Sequence, residues 1–197
     1  METIRSLRPN VSLQEARQRL STDGLRGALR KLRLGPRRSL AQIYIPFDSF
    51  RIEINRGSAV ENGFLMVDAV AGILDPYYLE QLPSAADCIA VRTRNLLPRI
   101  LSPELSQQNA EQRIRRLIFQ QGFFRLRTLE IKAELQPTLI YVPYWVGFFG
   151  PDLQVRMVVI DAVRGQVEGA KVRVLLQQWF AGELLTANRA MQIAPAS

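Results

Sequence analysis

The sequence has no histidine and only one cysteine, Cys88, among its 197 residues. These absences exclude a Ser-His-Asp triad, a Cys-His dyad, a histidine-ligated metal and a cysteine zinc site. A single cysteine also excludes a disulfide within the chain, and Cys88 fits a small core residue better than a reactive thiol. No cofactor and no metal are implied by this composition.

Long apolar stretches are missing too. No window approaches the roughly 18 apolar residues that a membrane span needs, and the first residues lack the apolar run of a signal peptide. We therefore expect a soluble, cytoplasmic protein with no membrane span.

Lysine is scarce, because Lys31, Lys132 and Lys171 are the only lysines among 26 cationic residues. The net charge of +8 is distributed in blocks. Residues 1–38 have 10 basic and 3 acidic side chains (+7), residues 39–90 have 2 and 7 (−5), residues 91–132 have 9 and 3 (+6), and residues 133–197 have 5 and 5 (0). Arginine has a planar guanidinium that suits carboxylates and phosphates.

Three motifs recur in the same order along the chain, which indicates an internal repeat. Residues 43–47 are echoed at 140–144 (offset 97), residues 67–72 at 160–165 (offset 93), and residues 15–19 at 111–115 (offset 96). We therefore predict two tandem repeats, residues 1–100 and residues 101–197.

Each half is predicted to begin with an amphipathic helix. Ser12 and Glu15 form a capping box, with Val11 placed to pack against Ala16, and Ser102 is an N-cap followed by a proline. The inner face is predicted to contain Leu13, Ala16 and Leu20 in the first helix, and Ala110, Ile114, Leu117 and Ile118 in the second.

Beyond the helices, the hydrophobic period changes to two. Half-buried strands are predicted at residues 50–54, 129–135 and 171–174, and central strands at residues 64–67 and 157–160. Short turns between them favour an α+β fold, in which each repeat is an N-terminal helix packed on an antiparallel sheet. Residues 22–34 are ambiguous between helix and strand, and the pattern leaves open whether the halves share one sheet.

The repeated Asp-Ala-Val-x-Gly motif supports two interpretations. Asp68 and Asp161 could form a carboxylate pair for general acid and base catalysis. The alternative, which we favour, is a structural turn in which the aspartate accepts backbone hydrogen bonds and Gly72 or Gly165 supplies a positive φ.

Aromatic residues concentrate in the second half at Tyr144, Trp145, Phe148 and Phe149. They could stack bases or contact a ligand, although core packing is the favoured interpretation. Trp145 and residues 148–151 adjoin a turn, so we expect them to be the most exposed and to mediate self-association or ligand contact.

Arginines on the predicted helices are the remaining candidates for binding, namely Arg17, Arg19, Arg113, Arg115 and Arg116, with Arg30, Arg37, Arg38, Arg125 and Arg127 nearby. They could follow a nucleic-acid backbone, form a solvated face, or pair with the acidic block at residues 48–87. We favour the solvated face.

The helix followed by strands, with a last hairpin of the form apolar-apolar-Asp-Ala-x-x-Gly at residues 67–72 and 160–165, resembles the PepSY domain and the cystatin-like folds. That resemblance implies a small non-catalytic module that binds or inhibits partners. We therefore expect a protein-interaction, ligand-binding or scaffolding module, with a protein partner or self-association. The alternatives are a nucleic-acid-binding protein that uses its arginine-rich helices and a hydrolase that uses paired carboxylates.

Overall fold

In the computed structural model, the described residues, 1–21, 23–56, 59–120, 129–151 and 155–193, form eight strands and four helices. In chain order these are β1 (Glu2–Leu7), α1 (Leu13–Arg19), α2 (Gly24–Leu34), β2 (Arg37–Arg56), β3 (Ala59–Asp68), β4 (Tyr77–Leu79), β5 (Cys88–Thr93), α3 (Pro103–Gln120), β6 (Leu129–Leu135), β7 (Ile140–Phe149), β8 (Arg156–Asp161) and α4 (Ala170–Ile193). The predicted α+β class is confirmed.

The strands of both halves join one eight-stranded sheet in the order β4-β3-β2-β7-β1-β5, with β6 paired to β2 and β8 paired to β7. The long strand β2 is its centre, since β3 lies along one edge and β7 and then β6 lie along the other. The expectation of purely antiparallel sheets is wrong, because β1 runs parallel to β7 at Ser6 and Tyr141. The first element is also a strand, not a helix, so β1 can close the sheet against β5.

Successive side chains of β2 and β7 point to opposite faces of the sheet, and an apolar layer lies on each face. Ile43, Ile45 and Phe47 of β2 contribute to a large core on one face, where Val172, Leu175 and Leu176 of α4 also pack. Phe50 and Ile52 point to the other face, where α3 packs. Helix α1 covers β7 and β8 on that same second face.

The helix starts follow the sequence closely. Ser12 and Glu15 form the predicted capping box, and Leu105 N–H donates to the Ser102 hydroxyl at the start of α3. Ala16 and Leu20 are buried as expected, whereas Leu13 is 42% exposed, so its predicted place on the inner face is wrong. The ambiguous stretch at residues 22–34 contains helix α2.

Two strand predictions are wrong. Residues 171–174 lie in α4, because Val172, Leu175 and Leu176 follow a helical spacing that four alternating residues cannot distinguish from a strand. Strand β8 is not central, since among the described strands it pairs only with β7, and its other bridge joins Ile160 to Val167 in the loop that follows it. Its continuous apolar sequence arises because both faces are covered, with Val159 in the layer under α4 and Ile160 in the layer under α1.

The four helices differ in length, and the longest is α4. Among the described residues, no helix combines the length and the apolar content needed to cross a membrane.

Candidate functional site

The two Tyr-x-Pro motifs pair directly with each other at the centre of the sheet. Ile45 lies opposite Val142, while Tyr44 lies opposite Pro143 and Pro46 opposite Tyr141. In an antiparallel strand, the nitrogen and the carbonyl of one residue face the same edge. The nitrogens and carbonyls of Pro46 and Pro143 face away from the β2–β7 pair, so neither proline removes a hydrogen bond between these two strands. The Pro46 and Pro143 carbonyls accept from Ala69 and Ala162.

The hairpins that carry the aspartates also share a register. Phe47 pairs with Asp68 on β3, and Tyr144, which is 97 residues after Phe47, pairs with Asp161 on β8. The Ala69 carbonyl then accepts from the backbone N–H groups of residues 100 and 101, and the Ala162 carbonyl accepts from those of residues 10 and 11. The segment before α3 is thereby attached to the first turn, and the segment before α1 to the second.

The Asp68 carboxylate is fully buried and bonds entirely to backbone amides. Oδ1 accepts from the N–H groups of Ala71 (2.8 Å) and Gly72 (2.9 Å), and Oδ2 accepts from that of Leu74 (2.8 Å). Gly72 has φ +67°, a left-handed conformation that favours glycine. Charge-assisted bonds of this kind stabilise a buried carboxylate without a cation.

The Asp161 carboxylate is equally buried but divides its bonds differently. Oδ1 accepts from the N–H groups of Val163 and Arg164 (both 2.8 Å), while Oδ2 accepts a short hydrogen bond from the Tyr77 hydroxyl. The Arg164 Nε lies 3.9 Å from Oδ2, and Gly165 closes the turn with φ +72°. Tyr77 belongs to the other half of the chain, so this aspartate links the halves.

Tyr77 lies beneath a guanidinium. The Arg164 Cζ is 3.7 Å from the centre of the Tyr77 ring, and the same guanidinium donates to the carbonyls of Asp75 and Pro76. Burial raises the pKa of the Tyr77 hydroxyl far above its usual value, and the nearby Tyr144 and Asp161 add to this shift. The hydroxyl is therefore a proton donor to Asp161 throughout the neutral range.

Three further charged side chains surround this cluster. Lys171 Nζ of α4 donates to Asp75 Oδ1 at 2.7 Å, and this hydrogen bond lowers the pKa of Asp75. Burial raises the pKa of Glu168, with a smaller contribution from the negative charge of Asp161. Asp161 and Tyr77 thus lie in a network that also contains two cations, Arg164 and Lys171, and two further carboxylates, Asp75 and Glu168.

Arginines from α1 and α3 contact the two turns in matching ways. Arg19 Nη1 donates to the Gly165 carbonyl (2.7 Å), and Arg113 Nη2 donates to the Gly72 carbonyl (2.8 Å). The sequence echo paired Arg17 with Arg113, so the structural match is displaced by two residues. Arg17, Arg115 and Arg116 are exposed, and Arg125 and Arg127 lie outside the described residues.

The aromatic candidates lie inside the protein. Tyr144 and Phe149 are fully buried, and Trp145 is 7% exposed with its indole N–H donating to the Val11 carbonyl. Phe148 is partly buried and packs edge-on against Phe180 of α4. The expectation that Trp145 is exposed is wrong, because α1 and its preceding segment cover that face of β7.

Among the described side chains, the two most exposed leucines lie on α2. Leu29 is 70% exposed and Leu32 is 87% exposed, and Ala28, Lys31 and Arg33 are exposed beside them. We call these five side chains the α2 surface. Gly27 and Leu34 lie on the opposite side of the helix, where Gly27 is buried and Leu34 packs against the layer under α1.

Arginines next to the α2 surface bond to uncharged backbone groups. Arg30 donates to the carbonyls of Arg19 and Ser21, Arg37 donates to that of Arg17, and Arg156 donates to that of Arg33. Within the described part of the chain, no ion pair joins Arg19, Arg30, Arg37 or Arg156 to a carboxylate. These contacts fix the guanidinium groups in place without neutralising them.

Two cavities are notable, and neither Asp68 nor Asp161 lines them. One of about 280 Å³ lies beside β3 and α3 and is mostly apolar, and one of about 430 Å³ lies between Asn10, Tyr77 and the loop at residues 81–87. No group of three potential metal-ligating side chains occurs within the described ranges.

Sequence reasoning missed Tyr77, Leu29 and Leu32. Nothing in the local sequence marks Tyr77, because its partner lies 84 residues away. The leucines could have been found from their three-residue spacing among cations, but the glycines in residues 24–27 obscured the helical pattern. No family, no curated protein and no solved structure matches this chain.

Proposed function

We propose that this protein is a non-catalytic binding module that attaches to an anionic partner through the α2 surface. The charge around α2 carries the proposal. Residues 24–47 contain six cations and no acidic residue, the cations being Arg26, Arg30, Lys31, Arg33, Arg37 and Arg38. Of these, Lys31 and Arg33 are exposed on α2, and a local excess of positive charge attracts polyanions and speeds their association.

A non-catalytic role is supported by the hydrogen bonds of the two repeated carboxylates, Asp68 and Asp161. Three of their four oxygens accept backbone N–H groups, and the fourth accepts the Tyr77 hydroxyl. A general acid or base must exchange a proton with a substrate, and these oxygens are occupied and buried. The resemblance to PepSY and cystatin-like modules points in the same direction.

Salt-dependent binding to heparin tests the proposal. We expect the wild-type protein to be retained at about 50 mM salt and to elute as salt rises. Changing Lys31→Gln with Arg33→Gln should lower the eluting salt concentration clearly, because both side chains belong to the α2 surface. The matched control, Arg115→Gln with Arg116→Gln on α3, removes the same charge and should have a smaller effect.

Two results would overturn the proposal. Absence of retention at low salt would exclude an anionic partner. Equal shifts for the two double variants would show that binding follows net charge and not the α2 surface.

We also propose that the chain arose by tandem duplication of units corresponding to residues 1–100 and 101–197. The shared hairpin register, the paired Tyr-x-Pro motifs and the matching Arg19 and Arg113 contacts support this origin. A relative with a single copy that pairs with itself through its Tyr-x-Pro strand would strengthen the proposal. Relatives in which one half lacks all three motifs at their spacings would weigh against it.

A further inference from the structure

The α2 surface combines two chemistries on one short helix. Leu29 and Leu32 are three residues apart, so they form a ridge along the outer side of the helix, and Ala28 extends it. Neither leucine is covered by another part of the described structure, since Leu29 is 70% exposed and Leu32 is 87% exposed. Two neighbouring leucines held in water are costly, which indicates that they are covered when the protein functions.

Cations flank this ridge on both sides. Lys31 and Arg33 are each about 100° around the helix axis from Leu32, in opposite directions. The acidic residues nearest in sequence are Asp23 before the helix and Asp48 well after it. An apolar ridge bordered by cations is the pattern of a helix that lies in a membrane interface.

Other partners explain only half of this pattern. Nucleic-acid phosphates would pair with the cations but would leave the leucines against a charged backbone. A second copy of the protein would cover the leucines but would bring two sets of like charges together. An anionic bilayer satisfies both, because the acyl boundary accepts leucine and the headgroups accept Lys31 and Arg33.

We infer that α2 lies in the interface of an anionic lipid bilayer, with Leu29 and Leu32 inserted and Lys31 and Arg33 at the headgroups, an inference that rests on the proposed function above. The eleven-residue helix is about 16 Å long, so attachment is shallow and reversible. The bond from Arg156 of β8 to the Arg33 carbonyl holds α2 to the sheet, and the bond from Arg30 to the Ser21 carbonyl holds it to the segment that follows α1. The whole protein therefore docks in one orientation.

Sedimentation with lipid vesicles tests this inference on the full chain. We expect binding to vesicles of equal parts phosphatidylcholine and phosphatidylglycerol, and little binding to pure phosphatidylcholine. Changing Leu29→Gln with Leu32→Gln should weaken binding at least about tenfold. Lys31→Gln with Arg33→Gln should weaken it about fivefold for each cation removed.

Matched controls separate the α2 surface from general exposure and charge. Ile100→Gln with Leu105→Gln changes two other exposed apolar residues, and Arg115→Gln with Arg116→Gln removes two other exposed cations. Both should bind vesicles as the wild type does. Glutamine is nearly as good a helix former as leucine, and circular dichroism verifies that each variant is folded.

The outcomes distinguish this inference from the proposed function. Retention on heparin without vesicle binding, or tighter binding to an oligonucleotide of about 30 nucleotides than to vesicles, leaves an anionic partner in place but overturns the membrane assignment. Equal vesicle binding by the wild type and the leucine double variant also overturns it. Failure to bind heparin and vesicles alike overturns both.

Discussion

The turn that begins at Asp68 and the turn that begins at Asp161 share four of their five motif residues and close on a glycine with positive φ, but their aspartates differ in their partners. In the first, both carboxylate oxygens accept backbone amides from the turn and its exit. In the second, one oxygen does so and the other bonds to Tyr77, with Arg164 close by. The motif thus specifies the turn, while Tyr77 and the variable fourth motif residue, Arg164, make Asp161 a link between the halves.

The largest expected difference between the turns comes from changing each aspartate to asparagine. Asp68→Asn puts an amide N–H₂ against a backbone N–H of the turn, and we expect a loss of about 3 kcal/mol in unfolding free energy. Asp161→Asn should cost about 1–2 kcal/mol, because the Tyr77 hydroxyl can accept as well as donate. Urea denaturation measures both, and a larger cost at Asp161 would contradict this comparison.

The glycines that close the turns should differ next. A Cβ on Gly72 would lie 2.3 Å from Asn109 Nδ2, whereas one on Gly165 would lie 3.3 Å from Arg19 Nη1. Gly165→Ala should cost about 1–2 kcal/mol for its left-handed φ alone. Gly72→Ala should cost about 1 kcal/mol more, and pairing it with Asn109→Ala should remove that excess. An excess that persists in the double variant would show that the side-chain clash is not its cause.

Tyr77→Phe isolates the contact that only the second turn has. Losing the hydroxyl should cost about 1–2 kcal/mol at pH 7. Because the folded pKa of Tyr77 is raised above its ordinary value of about 10, its contribution is complete below pH 10 and declines as the pH rises further. Stability measured between neutral pH and about pH 11 should therefore fall less in Tyr77→Phe than in the wild type. The neighbouring Tyr78→Phe is the control, and an equal change in both variants would refute a special role for Tyr77.

The smallest effect is expected at Glu168, the second carboxylate near Asp161. Its folded pKa is raised, so it supports the fold fully below its unfolded pKa and loses that contribution as the pH rises through the folded pKa. At pH 7, Glu168→Gln should increase stability by about 0.5 kcal/mol, since Glu168 is partly exposed. Glu80→Gln, on the surface, should change nothing. A destabilised Glu168→Gln would indicate a favourable contact of the charged carboxylate instead.

Local features of the fold were predictable from the sequence. The capping box of Ser12 and Glu15, the N-cap at Ser102 and the buried stripe of α3 each depend on residues within one or two turns of helix. Such interactions are encoded by spacing alone. The α+β class followed because most of these local assignments were correct.

Features that depend on distant partners were not predictable. The single mixed sheet requires β1 to pair with β5 and β7, and no spacing within either segment specifies that choice. The sequence predicts that Trp145 is exposed because it adjoins a turn, but α1 and Val11, which is 134 residues away, cover it. The strand predicted at residues 171–174 is wrong for a local reason, since four alternating residues are too few to exclude a helix.

Strand β2 has a consequence for how the chain folds. Its first half finds its long antiparallel partner only in β7, as with Ile43 and Tyr144, which are separated by 101 residues. During synthesis, this apolar stretch cannot form its hydrogen bonds with β7 until most of the chain has been made. Closing so long a loop precedes the stabilisation it allows, so refolding should be slow for a chain of this length. Until β7 is available, the unpaired edge of β2 is open to non-native pairing and aggregation.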